Sequence, residues 1–175
     1  MRTRATSAAL RAQAAESANP ALARSNAGYI ADKVSWLAAS GNTQSARAIL
    51  AGPRALSAPP RDTERWLELL LAQARGAARD GQYSTAYDIA RKVDDVLPVG
   101  AAILEQPIGV RDEYTSLVWL AAQTAQNQLA RPREAVGLYA LYSAGGRSPQ
   151  VQARGLYWAG RAALDARDTA LANDY

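Results

Sequence analysis

The chain has 175 residues, and 49 % of them are hydrophobic, which suits one domain with a sizeable core. It contains no cysteine and no histidine, so Ser-His-Asp and Cys-His nucleophiles, Cys/His zinc sites, redox pairs and His-ligated haem are excluded. The net charge of +4 comes from arginines that are scattered along the chain, with lysine only at Lys33 and Lys92. This scatter predicts a solvated surface and no nucleic-acid partner.

The composition also favours helix over strand. The sequence holds 40 alanines, which have the highest helix propensity, and few valines and isoleucines. The longest apolar run, residues 117–122, is too short to span a membrane. The N-terminus begins with two arginines, but Arg11 and Gln13 interrupt the apolar stretch that a signal peptide needs, so we predict none here.

Four short segments indicate an internal repeat. Each starts with a small or polar turn residue and has alanine five positions later; they are residues 41–46, 81–86, 130–135 and 167–172. Each follows a longer helical segment and opens a shorter one. Their uneven spacing argues against a strict tetratricopeptide array. The arrangement in stacked helix pairs is nevertheless the same. We therefore predict four helix–turn–helix pairs.

Apolar residues recur at helical spacing within every predicted helix. In chain order the predicted buried stripes are Ile30, Val34, Leu37 and Ala38; Ala46, Ile49 and Leu50; Leu67, Leu70, Leu71, Ala74, Ala77 and Ala78; Tyr83, Ala86, Tyr87, Ala90 and Val93; Tyr114, Leu117, Val118, Ala121 and Ala125; Ala135, Leu138, Tyr139 and Tyr142; and Ala153, Tyr157, Gly160 and Leu164. In the last stripe we expect Gly160 to permit close packing.

Helix boundaries follow from capping residues and prolines. Asp62 and Ser148 are predicted N-caps, and Pro132 suits a first helical turn. Two connections, residues 52–60 and 97–109, are expected to interrupt the array and pack along its edge.

Acidic residues are the candidates for chemistry that remain. Asp94 and Asp95 follow a predicted helix, where the dipole disfavours acids, and Asp112 and Glu113 come after Arg111 at a predicted helix start. We interpret both groups as structural surface charges. The sequence thus predicts no catalytic residue, no metal ligand and no cofactor, and it leaves substrate-binding residues undetermined.

Aromatic residues divide between the two helices of each pair. The tryptophans lie on predicted first helices and four of the eight tyrosines on second helices: Trp36, Trp66, Trp119 and Trp158, then Tyr83, Tyr87, Tyr139 and Tyr142. Such residues could line a saccharide groove, because sugars stack on aromatic faces. Their helical spacing instead favours packing between helices.

Three longer segments resemble the superhelical region of soluble lytic murein transglycosylases. They are residues 81–90, Gly-Gln-Tyr-Ser-Thr-Ala-Tyr-Asp-Ile-Ala, with Val93, Asp94 and Asp95 behind them; residues 111–121, Arg-Asp-Glu-Tyr-Thr-Ser-Leu-Val-Trp-Leu-Ala; and residues 147–162, Arg-Ser-Pro-Gln-Val-Gln-Ala-Arg-Gly-Leu-Tyr-Trp-Ala-Gly-Arg-Ala. The third is similar to the stretch that precedes the catalytic domain in that family. The resemblance covers residues 28–175.

The resemblance implies a periplasmic protein with a ring of helices and a lysozyme-like domain at its C-terminal end. That domain cleaves the β-1,4 bond between N-acetylmuramic acid and N-acetylglucosamine and leaves a 1,6-anhydro sugar, with one glutamate as acid and then base. The family's glutamate is followed by serine. Here the only such pair is Glu16-Ser17, upstream of the superhelix and without the family's context, so no catalytic residue is carried over.

These observations combine into one prediction. Residues 1–20 form a helical or poorly ordered lead-in, and residues 21–175 form an all-α, right-handed superhelical solenoid of tetratricopeptide-like pairs, cut at its C-terminal end. Its expected role is non-catalytic: to position a missing C-terminal catalytic domain and to hold peptidoglycan glycan strands or cell-wall proteins. Two alternatives stay open: a free-standing helical-repeat adaptor for a peptide or protein, and a small helical enzyme that uses Asp and Glu.

Overall fold

The computed structural model describes residues 19–53, 55–93, 96–98 and 100–175, and within these ranges the chain is helical and contains no strand. The all-α prediction is confirmed. The described α-helices are α1 (Pro20–Ser25), α2 (Ala27–Ala39), α3 (Thr43–Ala51), α4 (Thr63–Arg79), α5 (Tyr83–Ala90), α6 (Ile108–Gln123), α7 (Pro132–Gly145), α8 (Pro149–Asp165) and α9 (Thr169–Asn173). A 3₁₀ turn, Ile103–Glu105, precedes α6, and a π-helical turn, Thr124–Gln128, extends it.

Some predicted features lie outside these ranges. Glu16 and Ser17, the N-terminal lead-in up to residue 18, and Asp94 and Asp95 are among them. In the ranges that the structure does cover, no helix is both long enough and apolar enough to cross a membrane.

The four repeat segments begin at left-handed turn residues. Their φ angles are positive: 82° at Gly41, 74° at Gly81, 52° at Ala130 and 59° at Arg167. In three of the four turns, the next residue's N–H closes the turn by donating to a carbonyl five residues back: Asn42 to Leu37, Gln82 to Ala77 and Asp168 to Ala163. This bond pattern ends a helix, so the repeat marks the boundary between the two helices of each pair.

The third turn is one residue wider than the others. Its N–H donor, Arg131, bonds to the carbonyl of Ala125, six residues back, because the π-helical turn adds a residue before Ala130. Thr124 is buried in this turn, and its hydroxyl donates to the carbonyl of Leu120. The additional residue is one physical reason for the uneven repeat spacing.

Both predicted N-caps are confirmed. Asp62 accepts from the N–H of Arg65, and Ser148 accepts from that of Val151. Pro132 is the first residue of α7. The connection after Leu97 is shorter than predicted, because α6 begins at Ile108 and not at Arg111.

Helices that are close in the sequence pack together. The pairs are α2 with α3, α4 with α5, α6 with α7 and α8 with α9; α4 also packs on α6, and α3 on α5. The apolar stripes meet between them. The largest fully buried side chains are Tyr139, Leu50, Leu67, Leu70, Ile89, Leu117, Val34, Val93, Val96 and Val118. Burial of each such side chain stabilises the fold by about 1.5–3 kcal/mol.

Polar side chains of the second helices join successive pairs. The guanidinium of Arg47 in α3 is buried and donates to Asp80 at 2.7 Å and to Gln82 at 2.9 Å, both in the next pair's turn. The hydroxyl of Tyr87 in α5 donates to Glu134 of α7 at 2.5 Å. Arg47 and Tyr87 occupy the same repeat position, six residues after the left-handed residue. The repeat thus encodes contacts between pairs as well as the turn.

The predicted buried stripe of α8 is wrong. Tyr157 is 62 % exposed and Leu164 is 48 % exposed, and Ala153 also faces solvent. Helix α8 instead buries its small residues, Gly155, Ala159, Ala162 and Ala163. A Cβ on Gly155 would lie only 2.6 Å from the Cβ and 2.8 Å from the Cα of Ser143, whereas one on Gly160 would make ordinary contacts. Gly155, and not Gly160, is the close-packing glycine.

Candidate binding site

Three surface cavities lie along the side of the molecule formed by the first helices, α2, α4, α6 and α8. We call this side the first-helix face. One cavity, of about 250 Å³, lies between Asp32 and Ser35 of α2 and Arg65 and Glu68 of α4. A second, of about 400 Å³, is bounded by α4 and Leu120 of α6. Each of these two cavities opens between the first helices of two neighbouring pairs.

The third cavity, of about 460 Å³, carries the densest set of polar and aromatic groups. We call it the arginine pocket; it is lined by Arg75, Asp112, Thr115, Ser116, Trp119, Leu120, Gln123, Tyr142 and Arg154. These residues come from four helices: α4, α6, α7 and α8. The site therefore exists only when three successive pairs are stacked.

Aromatic packing builds the wall of the arginine pocket. The ring of Trp119 lies 4.7 Å from that of Tyr142, 5.2 Å from Tyr139 and 6.4 Å from Trp158, measured between centroids. Edge-on and tilted geometries of this kind are favourable for aromatic pairs. The guanidinium carbon of Arg154 lies 4.0 Å from the Trp119 centroid, which is a close cation–π contact.

A polar chain behind the wall fixes Tyr139. Its hydroxyl donates to Gln126 at 3.0 Å, and the Gln126 amide donates to Asp165 at 2.6 Å. Burial raises the pKa of Tyr139 from its ordinary value of 10.0 to about 12. The direction of this shift is that expected for a phenol whose neutral form is buried.

Charges on the first-helix face are of both signs. Glu113 of α6 is partly buried, and this burial, with the nearby Glu68, raises the pKa of its carboxyl group, although Arg75 acts in the opposite direction. The arginine pocket contains two arginines and one carboxylate, that of Asp112. The formal charge of the arginine pocket is therefore positive, and the acidic residues Glu68 and Glu113 lie nearby.

The aromatic residues that the sequence assigned to inter-helix packing divide into two groups. Trp66, Tyr87 and Tyr139 are buried, as predicted, and Trp119, Tyr142 and Trp158 are half-buried against the core. Trp36 and Tyr83 are each 37 % exposed, so for these two the prediction is wrong. Trp119 and Tyr142 combine packing against the core with the wall of the arginine pocket, whereas Trp158 does not line it.

The two pocket arginines, Arg75 and Arg154, were not predicted as site residues from the sequence. Arg75 and Arg154 lie far apart in the chain, on α4 and α8, and are brought together only by helix stacking. Both are exposed, like most arginines of this protein. The small residues of α8 were the sequence feature that could have revealed Arg154. When that small-residue face packs against the core, Arg154 and Trp158 lie next to Trp119 of α6.

The part of the chain that the structure describes contains no group of three or more His, Cys, Asp or Glu residues that could hold a metal ion. Arg111, predicted to open a helix, is buried within α6, and its Nε has no hydrogen-bond partner among the described residues. No protein-family model matches this sequence, and no curated protein or solved structure matches it either.

Proposed function

We propose that this chain is the non-catalytic superhelical domain of a periplasmic peptidoglycan lytic transglycosylase. In this proposal the helix pairs form a right-handed solenoid that holds murein glycan on the first-helix face. They also position a lysozyme-like domain that cleaves the glycan. The proposal rests on the resemblance of residues 81–95, 111–121 and 147–162 to that family, and on the geometry of the face.

The row of cavities along the first-helix face is the observation that carries the proposal. A glycan strand is long, bears many hydroxyl and amide groups, and has apolar faces on its sugar rings. The face offers hydroxyls and an amide from Thr115, Ser116 and Gln123 beside the aromatic wall of Trp119. Stacked repeats characteristically bind extended ligands along such a continuous surface.

Binding without cleavage is the expected behaviour of the chain by itself. Retaining and inverting glycosidases need two carboxyl groups at a set separation, and the resembled family needs a glutamate in a lysozyme-like fold. Glu113 is the carboxyl on this face with a raised pKa, and it lies among other acids. A raised pKa suits a general acid, so Glu113 is the residue that a cleavage assay must include.

Purified sacculi provide the direct test. The chain should co-sediment with sacculi and should release no 1,6-anhydro muropeptides. Failure to co-sediment would contradict the proposal. Release that is lost in Glu113→Gln would contradict its non-catalytic part and favour a helical enzyme.

A helical-repeat adaptor is the second candidate. The exposed apolar residues of α8, Leu156, Tyr157 and Leu164, are the observation that favours it, because apolar side chains on one helix commonly mark protein contacts. Substitution of Tyr157 by Ser separates the two candidates. Glycan binding on the first-helix face should survive this change, whereas binding of a protein on α8 should not.

A further inference from the structure

Two cavities of the first-helix face join into one groove. The cavity of about 400 Å³ is lined by small apolar and basic side chains: Ala72, Arg75, Ala78, Arg79 and Leu120. Two of these residues, Arg75 and Leu120, also line the arginine pocket, so the two cavities adjoin. We call them together the basic groove. The stretch of α6 that lines it, from Asp112 to Gln123, is about 16 Å long, which is the length of about five residues of extended chain.

The charged side chains of the basic groove are mostly arginines. Arg75 and Arg79 come from α4 and Arg154 from α8, and Asp112 is the one carboxylate among the lining residues, which leaves a formal charge of +2. Among the residues that the structure describes, none of the three arginines forms an ion pair. Arg75 acts electrostatically on the carboxyl group of Glu113 and opposes the rise of its pKa. Arg79 and Arg154 are therefore the arginines that a negatively charged ligand would neutralise.

Trp119 holds Arg154 in a fixed orientation. The carbon at the centre of the Arg154 guanidinium lies 4.0 Å from the Trp119 ring centroid and 6.0 Å from that of Tyr142. A guanidinium stacked on a ring uses its flat face, and the N–H groups at its edge stay free to donate. Arg161, an exposed arginine of the same helix, instead lies 3.9 Å from a carboxylate oxygen of Asp165. Because Arg154 is already oriented, it loses less conformational entropy when it binds a carboxylate.

Apolar and neutral polar groups complete the lining of the basic groove. Ala72, Ala78 and Leu120 offer apolar contacts beside the arginines. Ser116 and Gln123 offer a hydroxyl and an amide that can bond to peptide groups. A compact anion such as phosphate would use the charges and leave the apolar contacts unused. An extended acidic peptide uses both, because its carboxylates and its apolar side chains are distributed along its length.

We propose that the basic groove binds an acidic segment of a partner protein, an extended stretch of about five residues that contains Asp or Glu together with apolar residues. Separate carboxylates of the segment bind Arg79 and Arg154, so the two guanidinium groups do not need to reach the same anion. The ligand is a protein segment and not a glycan, and the inference therefore goes beyond the proposed function. The segment also binds on a different surface from the exposed apolar residues of α8.

Two peptides that differ only in charge test the inference. The acidic peptide is acetyl-Glu-Leu-Glu-Ala-Glu-amide, and its neutral counterpart carries Gln in place of each Glu. In an NMR titration we expect the acidic peptide to bind at least about tenfold more tightly, because charge-assisted hydrogen bonds are stronger than neutral ones. Its shifts should be largest at Ala72, Ala78 and the Trp119 indole. Added salt should weaken its binding, because exposed charges are screened.

Variants on two helices locate the binding site. Arg79→Gln and Arg154→Gln should each weaken binding of the acidic peptide about threefold or more, and leave the binding of the neutral peptide unchanged. Ala72→Glu, which places a carboxylate at an exposed position of the groove, should abolish binding of the acidic peptide. Arg65→Gln is the matched control, because Arg65 is an exposed arginine of α4 that lines neither cavity of the groove. It removes the same charge, and its affinity should equal that of the parent chain.

The possible outcomes distinguish this inference from the proposed function. Equal affinities for the two peptides would overturn it, and so would a loss of affinity in Arg65→Gln as large as that in Arg79→Gln, because binding would then follow net charge alone. Co-sedimentation with sacculi is measured on the same preparation. No peptide binding by a chain that co-sediments would overturn the inference and leave the proposed function standing. Peptide binding in the groove by a chain that does not co-sediment would support the inference and contradict the proposed function.

Discussion

Replacement of Gly155 by alanine tests the packing of α8 on α7. A Cβ at this position would lie 2.6 Å from the Cβ of Ser143 and 2.8 Å from its Cα and N atoms. Because two of these atoms belong to the backbone of α7, no side-chain rotation relieves the clash, and the helices must separate. Overpacking of this kind costs about 1–3 kcal/mol, while the helix propensity of alanine over glycine returns about 1 kcal/mol.

Gly137 is the matched control for this substitution. It lies in the middle of α7, is exposed, and a Cβ there would meet no atom within 4 Å. Gly137→Ala should therefore raise the free energy of unfolding by about 1 kcal/mol through propensity alone. Since the propensity gain is common to both variants, their difference isolates the clash, about 1–3 kcal/mol.

Thermal and urea unfolding measure this difference. For a domain of this length, 1 kcal/mol corresponds to about 2–4 °C in Tm, so the Gly155→Ala protein should melt roughly 3–10 °C below the Gly137→Ala protein. Gly160→Ala should behave like Gly137→Ala, because its Cβ would make only ordinary contacts. Equal stabilisation by the Gly155 and Gly137 substitutions would refute the close approach of α7 and α8.

Three further predictions concern the turns and the contacts between pairs. Arg47→Ala should lower the free energy of unfolding by about 1–3 kcal/mol, because it removes a buried guanidinium that donates hydrogen bonds. Asp80→Asn changes a largely exposed carboxylate and should lower the free energy of unfolding by less than about 1 kcal/mol. Urea unfolding of both variants measures this difference. Ala130→Gly should stabilise by about 1 kcal/mol, because glycine adopts its φ of 52° without strain, and an unchanged Tm would contradict the left-handed turn. Burial and the hydrogen bond to Glu134 raise the pKa of Tyr87 from 10.0 to about 12, so its contribution to stability is complete below pH 10 and is lost as the pH rises through 12. Tyr87→Phe should flatten the fall in stability between these pH values, as measured by denaturant unfolding.

Much of the helix-pair arrangement could be predicted from the sequence, because turns impose local chemical requirements. Gly41 and Gly81 suit a left-handed backbone, and the alanine five residues later is buried in the following helix. Asp62 and Ser148 cap helices by hydrogen bonds to residues three positions on, which short sequence segments reveal. Local signals of this kind survive the uneven repeat spacing.

The buried face of α8 could not be predicted from hydrophobicity. Its core residues are glycine and alanines, which allow close approach, while the larger Tyr157 and Leu164 face solvent. A pattern analysis that weights large apolar residues therefore selects the opposite face. The start of α6 at Ile108 was also not predicted. Its second residue, Gly109, has low helix propensity, and Ile108 is 68 % exposed, so it adds nothing to the buried stripe of that helix.

The arginine pocket depends on contacts between helices that are distant in the sequence. Arg75, Trp119 and Arg154 come from three different pairs, and no spacing rule connects them. The sequence also does not indicate which arginines form ion pairs. Only the structure distinguishes Arg154, which rests on Trp119, from Arg133, which is neutralised by Asp168.

Mapping of the bound glycan on the folded chain tests whether the first-helix face holds murein glycan. Backbone amide shifts recorded with and without soluble, uncross-linked glycan strands report which helices contact the ligand. We expect shifts in α4, α6 and α8, largest around Trp119 and Arg154, and small shifts in α3 and α5. Shifts concentrated on α3 and α5 would contradict binding on the first-helix face. The absence of shifts at a large excess of glycan, from a chain that co-sediments with sacculi, would contradict it as well.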